Sequence, residues 1–154
     1  MAYFDNAATT YPKPETVYQS MDQFQRQTGG SFGRGNYEFS NSAKGMVDDT
    51  RKAIKQLLHC PAKQVVFEPS ATISLNIIIQ GIIQKGARII YISPFEHNAV
   101  TRTLHHYKKR GQIKVEELAV DQKLNYDIQR IRFQFETTPP DFVVVSHANN
   151  VIGL

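Results

Sequence analysis

The sequence predicts an α/β fold, a three-layer α/β/α arrangement around a mostly parallel sheet. Three observations carry this. Short β-branched runs alternate with helical stretches between residues 64 and 146. The chain between successive runs is long enough for the helical crossovers that parallel pairing requires. Hydroxyls, an imidazole and carboxamides then follow the runs directly, at Ser70, Thr72, His97 and Asn149 among others.

Taken in order, the first dozen residues read as extended and turn-rich. Pro12 and Pro14 fix the backbone ahead of a helix over residues 15–26. Gly29-Gly30-Ser31-Phe32-Gly33-Arg34-Gly35 holds four glycines in seven positions and reads as a loop. A helix over about residues 41–58 follows, with Val47, Ile54, Leu57 and Leu58 as its apolar face. Residues 64–67 read as a short strand and residues 72–83 as an almost wholly apolar helix. Residues 88–93 form a second strand, 99–110 a helix, 113–118 a third strand, 127–135 a helix and 142–146 a buried strand. This alternation implies βαβ units with right-handed crossovers.

Composition narrows the function classes. A 154-residue chain with 41% hydrophobic content can bury a real core. Its net charge of +4 is too mild to mark a nucleic-acid binder, and Lys108-Lys109-Arg110 ends a helix, where it complements the dipole. The single cysteine, Cys60, excludes an internal disulfide framework and fits a reducing compartment. The opening residues lack the basic and apolar regions of a signal peptide. The longest apolar run is broken at Gln80 and Gly81 and is too short to span a bilayer. A soluble, cytoplasmic protein without nucleic-acid or membrane partners is expected.

Ligands of open α/β sheets bind beyond the carboxyl ends of the strands. There the chain carries Pro69-Ser70-Ala71-Thr72, Pro94-Phe95-Glu96-His97-Asn98 and His147-Ala148-Asn149-Asn150. Each could be only a cap or a turn, since Ser, Thr and Asn are favoured at both. Ser70-Ala71-Thr72 is the most interpretable, because a helix N-terminus offers free N–H groups to a phosphate and Thr72 adds a hydroxyl. No Walker-type sequence is present, and the glycine loop lacks the preceding strand of a dinucleotide fingerprint. Metal binding at His97 is disfavoured: no further ligand stands at suitable spacing, and the adjacent Glu96 should point elsewhere. His59, His105 and His106 read as surface or packing residues, and His147 as non-catalytic.

Together these segments resemble the cysteine desulfurase family, pyridoxal-phosphate enzymes of fold type I, similar to class V aminotransferases. Tyr3-Phe4-Asp5-Asn6-Ala7-Ala8-Thr9-Thr10 looks like the family's opening motif, and Gly29-Gly30 through Gly33-Arg34-Gly35 is similar to its glycine-rich segment. Val66-Phe67, Ser70-Ala71-Thr72 and Asn76 resemble the phosphate-binding turn. Glu96-His97-Asn98-Ala99-Val100 and His147-Ala148-Asn149-Asn150-Val151-Ile152-Gly153 match two further motifs. Five motifs in family order cover essentially the whole chain.

The resemblance implies that the N–H groups of Ala71 and Thr72, with the Thr72 hydroxyl, hold the phosphate of pyridoxal phosphate. His97 would stack on the pyridine ring, Asn150 would hydrogen-bond the phenolic oxygen, and Ala7 and Ala8 would lie beside the substrate amino acid. Residues 1–28 would form an extended segment and helix at the active-site edge, and residues 29–154 an incomplete cofactor-binding large domain. The reaction implied for the complete enzyme converts L-cysteine to L-alanine, leaving sulfur as an enzyme persulfide for an acceptor protein. Two positions depart from the pattern: Ile73 where an acidic residue usually follows the threonine, and Ser70 where glycine is common. Neither removes the anion site, whose donors are mostly backbone.

In the family, the Schiff-base lysine, the carboxylate that keeps the ring nitrogen protonated and the persulfide-forming cysteine all lie beyond the position of Leu154. Cys60, before Pro61 at a helix end, reads as a small buried residue and not as the nucleophile. The chain alone is therefore expected to be inactive, with no catalytic residue in this segment. The strand at residues 64–67 would lack its neighbours, leaving edges that a homodimer, strand exchange or a complementing chain would cover. The alternative is a non-catalytic homologue that keeps a phosphate- or partner-binding surface.

Overall fold

A computed structural model describes residues 2–6 and 8–149. The chain divides into two compact units, residues 1–67 and 68–154.

The first unit holds α1 (Glu15–Gln27) and α2 (Glu38–Leu57). Pro14 stands at the N-cap of α1, where its fixed φ suits helix entry and its missing N–H costs nothing. Along α2 the buried positions are Ser40 and Ala43. The Ser40 hydroxyl lies 3.1, 3.0 and 3.3 Å from the carbonyls of Ser31, Arg34 and Gly35, fastening the glycine-rich loop to the helix. Gly33 and Gly35 in that loop have φ of +83° and +88°, which a side chain would oppose.

Two expectations are corrected in this unit. Leu57 and Leu58, assigned to the apolar face of α2, are exposed at the point where the helix ends, Leu57 being its last residue. Residues 64–67 are not a strand. Among the described residues their backbone joins no ladder; instead Arg51 of α2 donates to the Val65 carbonyl at 3.3 Å. The same guanidinium lies 5.6 Å from the rings of both Phe32 and Phe67. A β-branched run supplies propensity, but a strand also requires a neighbour.

The second unit contains α3 (Ala71–Gln84), β1 (Ile89–Ile92), α4 (Asn98–Lys109), β2 (Lys114–Glu117), α5 (Ile128–Thr137) and β3 (Phe142–Val144). Its sheet has the order β2-β1-β3 with both pairings parallel, Ile89 opposite Lys114 and Ile90 opposite Phe142. Period-2 alternation assigns the faces of β1. Ile90 and Ile92 join Ile79 and Ile83 of α3 and Val100 and Leu104 of α4 in the core. Ile90 is fully buried, which stabilises by about 1.5–3 kcal/mol relative to exposure. Tyr91 faces the other way, with its ring 5.0 Å from that of Phe135 and its hydroxyl reaching the carbonyls of Gln134 on α5 and of Thr138 at its C-cap. Helices thus cover both faces of the sheet, the three-layer arrangement the sequence predicts.

Asp141 links the starts of β1 and β3: one carboxylate oxygen accepts the N–H groups of Arg88 at 2.7 Å and Ile89 at 2.9 Å. Those bonds, the one from Arg88 first, hold its carboxyl below the ordinary aspartate range. β3 itself is shorter and less buried than expected. It covers residues 142–144, and Val143 and Val145 are exposed. α3 likewise buries Ile79 and Ile83 but exposes Ile73, Ile77 and Ile78, despite its nearly continuous apolar sequence. Among the described residues, no helix is long and apolar enough to cross a membrane.

Candidate functional site

The site is built at two helix starts in the second unit. Ser70 caps α3, its hydroxyl oxygen accepting the Ile73 N–H at 3.3 Å. Among the described residues no protein acceptor takes the N–H groups of Ala71 or Thr72, or the Thr72 hydroxyl. A short relay joins this turn to α4. Asn76 donates to the Thr72 carbonyl at 2.8 Å and accepts from the Thr103 hydroxyl at 2.7 Å. Ile73, where the resemblance leads one to expect an acid, is exposed, and its hydrocarbon side chain offers no polar group.

β1 delivers the second helix start. Its carboxyl end runs into buried Ser93 and then into His97, the N-cap of α4. His97 Nδ1 accepts the Ala99 N–H at 3.1 Å, so a neutral ring carries its proton on Nε2. Glu96 points away from His97, as expected, and across the sheet. Its Oε1 accepts from the Ser93 hydroxyl and the Ser146 N–H, both at 2.6 Å, and its Oε2 from the Ser146 hydroxyl at 2.9 Å. Asn149 adds a second tie, donating to the Phe95 carbonyl at 2.7 Å.

Between α3 and α4 lies a cavity of about 520 Å³ whose walls include Thr72, Asn76, His97, Arg102 and His106. An imidazole pair and a guanidinium line it, with no carboxylate among the lining residues. Its chemistry therefore suits an anionic ligand of moderate size with a planar part to meet the His97 ring. A phosphate fits the unclaimed donors at the start of α3, which are neutral N–H groups at the positive end of a helix.

Of the residues singled out in the sequence, the structure brings Thr72 and His97 to one cavity, with Ala71 exposed at the α3 start. Ala8 belongs to the first unit, where its N–H donates to the Asp5 carbonyl at 3.0 Å. Ala7 and Asn150 lie outside the described residues. Cys60, three residues past the end of α2, is half-buried and not fully buried. His147 and His105 are exposed; His106, read as a surface or packing residue, also lines the cavity. Among the described residues no group of three or more His, Cys, Asp or Glu side chains could hold a metal ion. Sequence reasoning gave no role to Glu96, Asn76, Thr103 or Arg102. Asn76 and Glu96 stood within two of the motifs that carry the family resemblance, which assigned neither of them a contact.

The family model for aminotransferase class-V matches residues 2–154. The cysteine desulfurase SufS of Plasmodium falciparum is 30% identical over 99% of this chain and 29% of its own length. The cysteine desulfurase IscS of Pseudoalteromonas translucida is 32% identical over 99% of this chain and 38% of its own. Among solved structures, the apo cysteine desulfurase of Thermococcus onnurineus superposes with a TM-score of 0.87 at 24% identity, over 99% of this chain and 38% of that one. A NifS-like protein superposes with a TM-score of 0.80 at 27% identity, over 97% and 41%. The fold is thus that of the N-terminal portion of the fold-type I large domain, and the chain spans about three- to four-tenths of the length of these relatives. On the match over residues 2–154, this chain belongs to the aminotransferase class-V family.

Proposed function

We propose that this chain is a segment of a pyridoxal-phosphate-dependent cysteine desulfurase, acting on L-cysteine or a related amino acid. The observation that carries the reading is the shared cavity of Thr72 and His97, the two side chains expected at the phosphate and the ring of the cofactor. Ala71 and Thr72 would receive the phosphate through their N–H groups and the Thr72 hydroxyl. His97 would cover one face of the ring and exclude water there. The cofactor supplies an electron sink for cleaving the carbon–sulfur bond of the substrate.

Asn150 at the phenolic oxygen and Ala7 and Ala8 beside the substrate complete the proposed contacts. In this reading residues 1–28 lie at the active-site edge and residues 29–154 form part of the cofactor-binding domain. The Schiff-base lysine and the persulfide cysteine come from polypeptide corresponding to the remaining length of the relatives, so the 154-residue chain alone releases no sulfide. A homodimer or that complementing polypeptide covers the open β3 side, an acceptor protein takes the sulfur, and the protein works in the cytoplasm.

The test combines intact mass and absorbance, with pyridoxal phosphate added to the chain alone and to a mixture with the corresponding remainder of a desulfurase. A lysine-linked absorbance band and cysteine-dependent sulfide release in the mixture only are the expected result. A borohydride-fixed cofactor on the 154-residue chain would refute its inactivity alone. An inactive mixture, with phosphate or protein binding by the chain, would replace the desulfurase reading by a non-catalytic binding module.

A further inference from the structure

We infer that Glu96 is a positioning residue: its carboxylate clamps the two rim segments that carry the cofactor contacts, and so sets the pose of His97. The inference rests on the proposed cofactor site and deepens it.

The argument starts from the number and kind of bonds. Glu96 is partly buried and accepts three hydrogen bonds from two residues, one three positions away and the other fifty. One comes from Ser93, at the carboxyl end of the central strand β1. The other two come from the backbone and side chain of Ser146, just beyond β3. All are charge-assisted, and at 2.6–2.9 Å all are short. Among the described residues the ladder between β1 and β3 ends at Ile92 opposite Val144, followed by the Ser93 N–H on the Val144 carbonyl. Beyond that point Glu96 ties the loops together through Ser146, and Asn149 adds its bond to the Phe95 carbonyl.

The consequence reaches the ring through the backbone. Glu96 is bonded covalently to His97, so fixing its side chain on Ser146 fixes the peptide that enters the α4 N-cap. His97 is held from the other side by its Nδ1 on the Ala99 N–H. Two anchors thus flank a side chain that is itself exposed to the cavity. An exposed ring without them would sample several rotamers, and each would be lost on stacking. Glu96 itself does not line the cavity and, in the proposed site, does not touch the cofactor. It acts through its neighbour.

The test uses the 154-residue chain with Glu96→Ala, Glu96→Gln and Ser146→Ala. Residue-resolved amide exchange reads Ser146 and Ala99, ring-nitrogen NMR reads His97, and a fluorescence titration reads pyridoxal phosphate. In Glu96→Ala, exchange at Ser146 should rise about tenfold or more and cofactor affinity should fall by about the same factor. Glutamine keeps the shape and an acceptor oxygen, and turns its amide N–H toward the Ser146 hydroxyl. Both readings should then return to within about threefold of wild type. Ser146→Ala leaves the backbone bond intact and should weaken affinity by about threefold, which decides the matter if Glu96→Ala does not fold.

Unchanged Ser146 exchange in Glu96→Ala would overturn the clamp. Raised exchange with unchanged His97 signals and affinity would overturn the positioning role. A wild-type chain that binds no pyridoxal phosphate would sink the proposed cofactor site instead, while exchange and the His97 signals still judge Glu96.

Discussion

In the proposed site His97 holds two jobs that can be separated by substitution. Its Nδ1 caps α4 on the Ala99 N–H at 3.1 Å, and its ring faces the cavity shared with Thr72. Asparagine keeps an acceptor that caps a helix well but has no ring; phenylalanine keeps a ring but has no acceptor. Loss of a side-chain N-cap costs about 1 kcal/mol. In a domain of this size that lowers the melting temperature by about 2–4 °C. Stacking of aromatic planes contributes about 0.5–1.5 kcal/mol beyond buried area, or roughly two- to tenfold in affinity. His97→Asn should therefore melt with wild type and bind pyridoxal phosphate about two- to tenfold more weakly. His97→Phe should melt lower by those few degrees while keeping most of the affinity. Thermal unfolding by circular dichroism and a fluorescence titration read the two effects independently. Wild-type cofactor affinity in His97→Asn would refute the stacking role, and an unshifted melting point in His97→Phe would refute the cap.

Two further outcomes check the architecture that holds the site. Tyr91→Phe removes the hydroxyl that reaches the carbonyls of Gln134 and Thr138 but keeps the edge contact with Phe135. One hydroxyl donates one proton, so the cost should be about 1 kcal/mol in denaturant unfolding, and no change would mean α5 is not docked there. The Asp141 carboxyl is held below the ordinary aspartate range by the backbone N–H groups of Arg88 and Ile89. Its contribution is present at pH values above the unfolded value of about 4 and is lost as the pH falls through the lower folded one. Wild type should lose melting temperature more steeply than Asp141→Asn below about pH 4, and parallel profiles would remove Asp141 from the account.

Legibility in the sequence followed the range of the interactions. Helix positions and the order of β1, α4, β2, α5 and β3 were readable because period and caps are local signals. Ser70, Thr72 and His97 could be found because helix starts announce themselves. Residues 64–67 could not be judged from their β-branched composition, since a strand depends on a neighbour supplied from elsewhere. The burial of residues 142–146 was overestimated for the same reason: an apolar strand is covered only where another element packs on it. The partners of Glu96 and Asp141 were out of reach. Each acts across about fifty residues or more, Glu96 on Ser146 and Asp141 on Arg88, and no spacing rule spans that distance.

The sheet order also has a temporal consequence. β1 meets β2 by closing the chain between Ile89 and Lys114, but meets β3 only by closing the chain between Ile90 and Phe142, a loop about twice as long. Doubling a loop adds about 0.6 kcal/mol of closure entropy, and that penalty falls before the contacts that offset it are made. β1, α4 and β2 should therefore assemble as a nucleus, with β3 arriving afterwards. Ser146 and Asn149 travel with that late strand, so the rim would be the last part of the second unit to gain its shape during folding and the first to lose it.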